Sequence, residues 1–203
     1  MMRATLCGVS TRSIASLRQT EVLKESRSSI SRLWQEKSAA LVEELQDCDL
    51  SDFNVVIMML DAVALTDGLV ATVALGINEE GQKRVLGFRV GHSENQQVCE
   101  DLLGSLSRRG LKVANGRRLL AVLDGSKALK NALLSRYPNT LIQRCLVHKE
   151  RNLQGYLSKR HWGELARLFA RLRKSQGAQS GKEAADAIEL FLADKNDQAR
   201  SSL

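Results

Sequence analysis

The chain has 203 residues, 43% of them apolar, and Lys plus Arg outnumber Asp plus Glu by 30 to 23, a formal charge of +7 with an isoelectric point near 9.5. That length holds one core of ordinary size and a small appendage, and the basic surplus suits a polyanionic partner. No apolar stretch approaches the roughly 20 residues of a bilayer-spanning helix, so no membrane role is expected; Cys7, Cys48, Cys99 and Cys145 form no Cys-x-x-Cys pair, which argues against a disulfide framework or a complete zinc knuckle and for a reduced cytosol.

The first twenty residues carry Arg3, Arg12 and Arg18, several Ser and Thr and no acid, a composition that imitates an organellar transit peptide. Ser10 can instead cap a short helix whose Ile14 and Leu17 face inward. Ser28 or Ser29 then opens a second helix with an apolar stripe of Ile30, Leu33, Trp34, Leu41 and Leu45. Such pairs of small amphipathic helices are common as plain packing elements.

Two apolar runs that follow each end on an aspartate: Val55 to Leu60 before Asp61, and Leu119 to Leu123 before Asp124. Runs of this length bounded by turn residues read as buried strands, and a carboxylate at the tip is presented at the sheet's edge. Between them, 69–77 and 84–90 flank the polar loop Asn78-Glu79-Glu80-Gly81-Gln82 and read as a hairpin, so the first three strands form an antiparallel meander. Ser93 with Gln96 makes a capping box before a helix bearing Val98, Leu102, Leu103 and Leu106. After Asp124, Ser126 caps a helix with Leu129, Leu133 and Leu134, and Thr140-Leu141-Ile142-Gln143 makes a fifth strand. The predicted order is βββαβαβ followed by helices, an α/β fold with a mixed sheet in the ribonuclease H-like arrangement.

A lone strand-end Asp is more often a cap or turn residue, but two in this topological order favour a shared site. Converging carboxylates repel unless a divalent cation keeps both ionised, and Mg²⁺ or Mn²⁺ suits oxygen ligands. Two such ions about 4 Å apart would activate a water or a DNA 3′-hydroxyl and stabilise the leaving oxygen. The basic surplus, including Arg108-Arg109, Arg117-Arg118, Arg144, Lys149, Arg151 and the run from Arg167 to Lys174, lies around these acids. Any one cluster reads equally well as a solvated face.

The stretches Leu60-Asp61-Ala62-Val63, Val73 to Gly81, Val85-Leu86-Gly87, Ser93-Glu94-Asn95, Leu123 to Leu129 and Gln143 to Asn152, in that order, resemble the Mutator-class transposases of bacterial insertion sequences. The resemblance runs from about residue 8 to about 175. It implies a DDE-type ribonuclease H-like core in which Asp61 and Asp124 are catalytic metal ligands with Mg²⁺ or Mn²⁺, DNA (transposon ends and target) as the partner, homo-oligomers, and a bacterial cytoplasmic, nucleoid-associated setting. It implies three segments: a helix-turn-helix-like DNA-binding segment at 1–50, a partial catalytic core at 51–160 and the start of a helical insertion at 161–203. Gly8 to Leu17 resembles the family's first DNA-binding helix, which sets Arg27 and Arg32 at the start of a recognition helix; Arg144, His148, Lys149 and Arg151 become DNA contacts beside the centre. Cys145 and His148 form the family's Cys-x-x-His element. Alone they read as a buried small residue and a polar contact, since two ligands do not complete a zinc site.

The family's third acid is a glutamate beyond a helical insertion, and it is expected to be missing here. Glu150, Glu164, Glu183 and Glu189 are available substitutes, none in a family-like Thr-Asn-x-Ile-Glu-Ser context. Three readings compete: a transposase that is catalytically incomplete as it stands, a truncated DNA-binding protein that occupies element ends or inhibits the full-length enzyme, and an independent nuclease with a different third acid.

Overall fold

The computed structural model describes residues 27–66, 68–92 and 96–203. The expected helix around Gly8 to Leu17 and the Ser93 capping box lie outside the described residues. The chain divides into two compact units, 1–50 and 51–203. In the first, helix α1 spans Arg27–Asp47, and Leu33, Trp34, Leu41 and Leu45 fall on one side of it by their spacing.

The second unit is an α/β fold on a mixed sheet of six strands, ordered β3-β2-β1-β5-β6 with the two-residue β4 beside β1. Strands β1 (Asn54–Ala64), β2 (Val70–Asn78) and β3 (Lys83–Gly91) form the expected antiparallel meander. Asn78 shapes the hairpin turn, its Oδ1 accepting from Gln82 N at 2.8 Å while its Nδ2 donates to Gln82 Oε1. Gly81 sits in that turn at φ +76°, a conformation that costs other residues about 1–2 kcal/mol. Strand β4 (Lys112–Val113), too short for a hydrophobic pattern to reveal, runs parallel to the start of β1. Strands β5 (Leu120–Leu123) and β6 (Leu141–Arg144) run parallel to β1, because each is reached through a helical crossover.

Those crossovers are α2 (Gln96–Arg108) and α3 (Lys127–Arg136). Helix α2 lies against β2, β3 and α3. Its Leu102, Leu103 and Leu106, with Leu129 and Leu133 of α3, are fully buried, as are Met58, Leu60, Ala74, Leu86, Ala121 and Leu123 of the sheet. Each buried Leu contributes about 1.5–3 kcal/mol relative to exposure, so these side chains bind the crossovers to the sheet.

A register shift between Val55 and Ile57 decides which way β1 points. Strict alternation from the buried Val55 would send Ile57, Met59 and Asp61 into the core. The extra residue opposite β2 resets the phase. Met58 and Leu60 are buried instead, while Met59 is 38% exposed and Asp61 is half-buried.

After β6 come α4 (Leu146–Gln154), a 3₁₀ turn (Lys159–His161), α5 (Trp162–Lys174), α6 (Ala178–Lys195) and α7 (Asp197–Ser201). They share a second core of Leu153, Leu157, Leu165, Phe169, Ile188, Leu192 and Ala199. Trp162 lies at the margin of this core, exposed on one side, with its indole N–H donating to Gln154 O and Leu157 O.

Candidate active site

Asp124 follows the last residue of β5, as expected, but Asp61 is not at a strand tip: it pairs with Val73 of β2 inside β1, which runs on to Ala64 beyond the end of β5. Leu60 pairs with Leu123 in the parallel β1/β5 ladder, so the aspartates follow one register position later, on strands about 5 Å apart. Each carboxylate is anchored through one oxygen. Asp61 Oδ1 accepts from Ala62 N at 3.0 Å, and Asp124 Oδ1 accepts from Ser126 N at 2.8 Å. The anchoring bonds leave the second oxygen of each to other partners, and the Asp61 side chain is 50% exposed.

The turn after Asp124 is tight. Gly125 adopts φ +106°, and a Cβ placed there would stand 2.3 Å from Arg144 Cζ, so the guanidinium lies directly over the glycine. Ser126 then caps α3 as expected, its Oγ accepting from Leu129 N at 3.3 Å. On the far side, Cys145 N donates to Leu123 O at 2.6 Å, extending the β5/β6 ladder by one bond and fixing where α4 begins. Cys145 is the N-cap residue of that helix.

From that start His148 turns toward the first acid. Its Nε2 stands 3.7 Å from Asp61 Oδ1, an ion pair when the ring is protonated. His148 Nδ1 is buried without a hydrogen-bond partner among the described residues. Arg151, one turn on, is exposed, and Arg144 and Arg151 have no carboxylate partner among the described residues.

Lys149 departs from the expectation of a DNA contact. It is only 4% exposed, and its Nζ donates to Ser202 Oγ at 3.1 Å. It shares the inner face of α4 with Leu153, one turn along. Burial, and secondarily the charge of Arg144, hold its amine below the ordinary lysine range. An ammonium enclosed in this way cannot meet a phosphate while the helices stay packed.

Among the described residues no three His, Cys, Asp or Glu side chains converge as a metal-binding group. Cys145 and His148 gain no further ligand: His161 packs edge-on against Phe191 and accepts from Arg160, and His92 is exposed. The four glutamates considered as substitute acids have partners elsewhere. Glu150 pairs with Arg173, Glu164 with Arg167 and Glu189 with Arg200, while Glu183 accepts from Gln179. Of the two arginines expected on the recognition helix, Arg32 is exposed on α1, and Arg27 begins that helix.

Sequence reasoning passed over two residues beside the centre, Lys127 and Lys130. They line a cavity with Gly125, Ser126 and Arg144. The available signal was two lysines in the first turn of a helix, where the macrodipole favours acids instead.

The Mutator-family transposase model matches residues 1–203, the whole chain. The chain belongs to the Mutator family of transposases. The transposase of insertion sequence IS905 from Lactococcus lactis is 31% identical over 173 residues, 82% of this chain and 41% of that protein. That of IS6120 from Mycolicibacterium smegmatis is 29% identical over 83% of this chain and 51% of its own length. The transposase of IS256 in transposon Tn4001 from Staphylococcus aureus is 27% identical over 79% of this chain and 42% of its own. This Mutator-family chain thus spans about half the length, or less, of these relatives. No helix among its described residues is long and apolar enough to cross a membrane.

Proposed function

We propose that this chain carries the first two acids of a DDE transposase centre, in a ribonuclease H-like core that cuts and joins DNA strands at the ends of an insertion sequence. The observation that carries the reading is the pairing of Leu60 with Leu123, which sets Asp61 and Asp124 one position further along two adjacent strands. The sheet order β3-β2-β1-β5-β6, three antiparallel strands followed by two parallel ones, supports the fold assignment. The relatives' names support the activity. DNA is the partner that the basic surplus fits, and a bacterial nucleoid is where such a partner is met.

The donor set fits a hard divalent cation in part. Two carboxylates, each with one oxygen already oriented by a backbone N–H, leave the second oxygens for Mg²⁺ or Mn²⁺. A bound cation would supply Lewis-acid stabilisation of charge on the phosphate oxygens. The chain's own part is to hold the two carboxylates at fixed spacing, to set the His148 imidazole beside Asp61, and to line the approach with Arg144 and Arg151. In this reading the third carboxylate comes from a part of the transposase other than the described residues, and transposase copies pair on DNA.

Calorimetry should show weak Mn²⁺ binding that Asp124→Asn abolishes, because one hard ligand is lost from an incomplete shell. Equal affinity in both proteins would overturn the shared site. Incubated with end-containing duplex and Mn²⁺, the 203-residue chain should leave the DNA intact, since losing a ligand that positions a metal costs several factors of ten, at about 1.4 kcal/mol each. Metal-dependent cleavage that disappears in Asp61→Ala would show that the third acid is already present.

A further inference from the structure

Beside Asp124 lies a cavity of about 250 Å³ with an apolar floor, Leu123 and Ile142, and a basic rim, Lys127, Lys130 and Arg144. The two lysines are exposed and, like Arg144, have no carboxylate partner among the described residues.

The arrangement is electrostatically unfavourable when empty. Lys127 and Lys130 occupy the first turn of α3, a helix with no acid there, although that end carries the positive pole of the peptide dipoles. The side chain of Arg144 is pressed over Gly125, at the entrance to the same helix. Three cations and a positive helix end around one hollow repel one another. A sequence that keeps such a local conflict points to a ligand of opposite charge, and an anion here would meet all of them at once. The apolar floor suits the sugar attached to a phosphate better than a free hydrated ion.

We infer that this cavity seats a backbone phosphate of the DNA strand, with its deoxyribose against Ile142, next to the position served by Asp61 and Asp124. Lys127 and Lys130 are then positioning residues: they fix the strand so that the neighbouring phosphodiester meets the two acids. This rests on the transposase reading for its purpose but not for its test.

The test is DNA binding by the full chain in EDTA, where no metal chemistry enters, measured by anisotropy with a labelled duplex over a series of NaCl concentrations. Lys127→Gln/Lys130→Gln should lower the log-log salt slope by about 1, the value for one phosphate. The charge-matched variant Lys182→Gln/Lys195→Gln, on helix α6, should leave the slope where it was. An unchanged slope in the first variant overturns the inference, and so does an equal fall in both. Calorimetry with inorganic phosphate separates a small-anion site from a strand site: orthophosphate binding lost in the lysine variant, with an unchanged slope on DNA, also overturns it. Asp61→Asn/Asp124→Asn should bind DNA in EDTA no more weakly than wild type. Loss of the Mn²⁺ prediction with retention of the lysine effect would sink the catalytic reading and leave the phosphate seat standing.

Discussion

Gly125 shows how much can rest on one residue between an acid and a helix. Its φ of +106° strains any side chain, and its missing Cβ is the space that Arg144 fills. Gly125→Ala should therefore cost about 1–3 kcal/mol of stability, read by urea unfolding, and should weaken DNA binding although every charge is retained. Unaltered binding would mean that the guanidinium's position over the turn is unimportant. Lys149 makes the complementary case of a charge enclosed rather than displayed. Its folded-state amine titrates below its ordinary value of about 10.5, so between those two pH values the unfolded chain binds more protons, and stability rises with pH. The cost is fully present below the folded-state value and relieved as pH climbs toward 10.5. Lys149→Met, which keeps the volume, should remove that rise when thermal unfolding is compared at about pH 8 and about pH 10.

At the scale of elements, strand ends and helix starts are joined as units. Strand β5, its aspartate, Gly125 and the Ser126 cap form one such unit; β6, Cys145 and the start of α4 form another, tied to the first by the bond from Cys145 N to Leu123 O. Helix α4 turns His148 to Asp61 and Leu153 to the second core. Its orientation at the site therefore depends on packing distant from that site. Phe169→Ala, which empties the largest fully buried side chain of that core, should cost about 3–5 kcal/mol. If α4 is held as described, the same change should weaken Mn²⁺ binding less than Asp124→Asn does, since β1 and β5 keep their own ladder. A variant that unfolds both parts together would show the two cores to be one cooperative unit.

For the whole molecule, the charge of +7 is distributed unevenly in its availability. Arg117 pairs with Glu79, Arg173 with Glu150 and Arg200 with Glu189, and Lys149 is buried. Arg144, Arg151, Lys127 and Lys130 are exposed without a carboxylate partner among the described residues, and are open to a polyanion. Duplex binding should thus weaken steeply with salt, by about 0.9 in log-log slope for each phosphate neutralised. Arg151→Ala should weaken binding to all sequences alike, whereas Arg32→Ala on α1 should relax sequence preference if that helix reads bases. A flat salt response would argue against a DNA-facing surface.

Much of this was legible in the residues alone: the ordered family stretches, the meander, the strand after each helix, and Asp124 at a strand tip, whereas Asp61, expected at a tip, sits inside β1. Periodicity and turn chemistry are local, and here local preferences agree with the fold. What sequence could not show depends on contacts between distant segments. In Val55 to Asp61 every residue before the acid is apolar, so no alternation betrays the faces, and only the register shift against β2 turns Met58 and Leu60 inward and leaves Asp61 half-exposed. Lys149 and Arg151 look equivalent along the chain. Their fates differ because α4 presents one side to α5, α6 and α7, and a helix's inner face is chosen by the partners that pack on it.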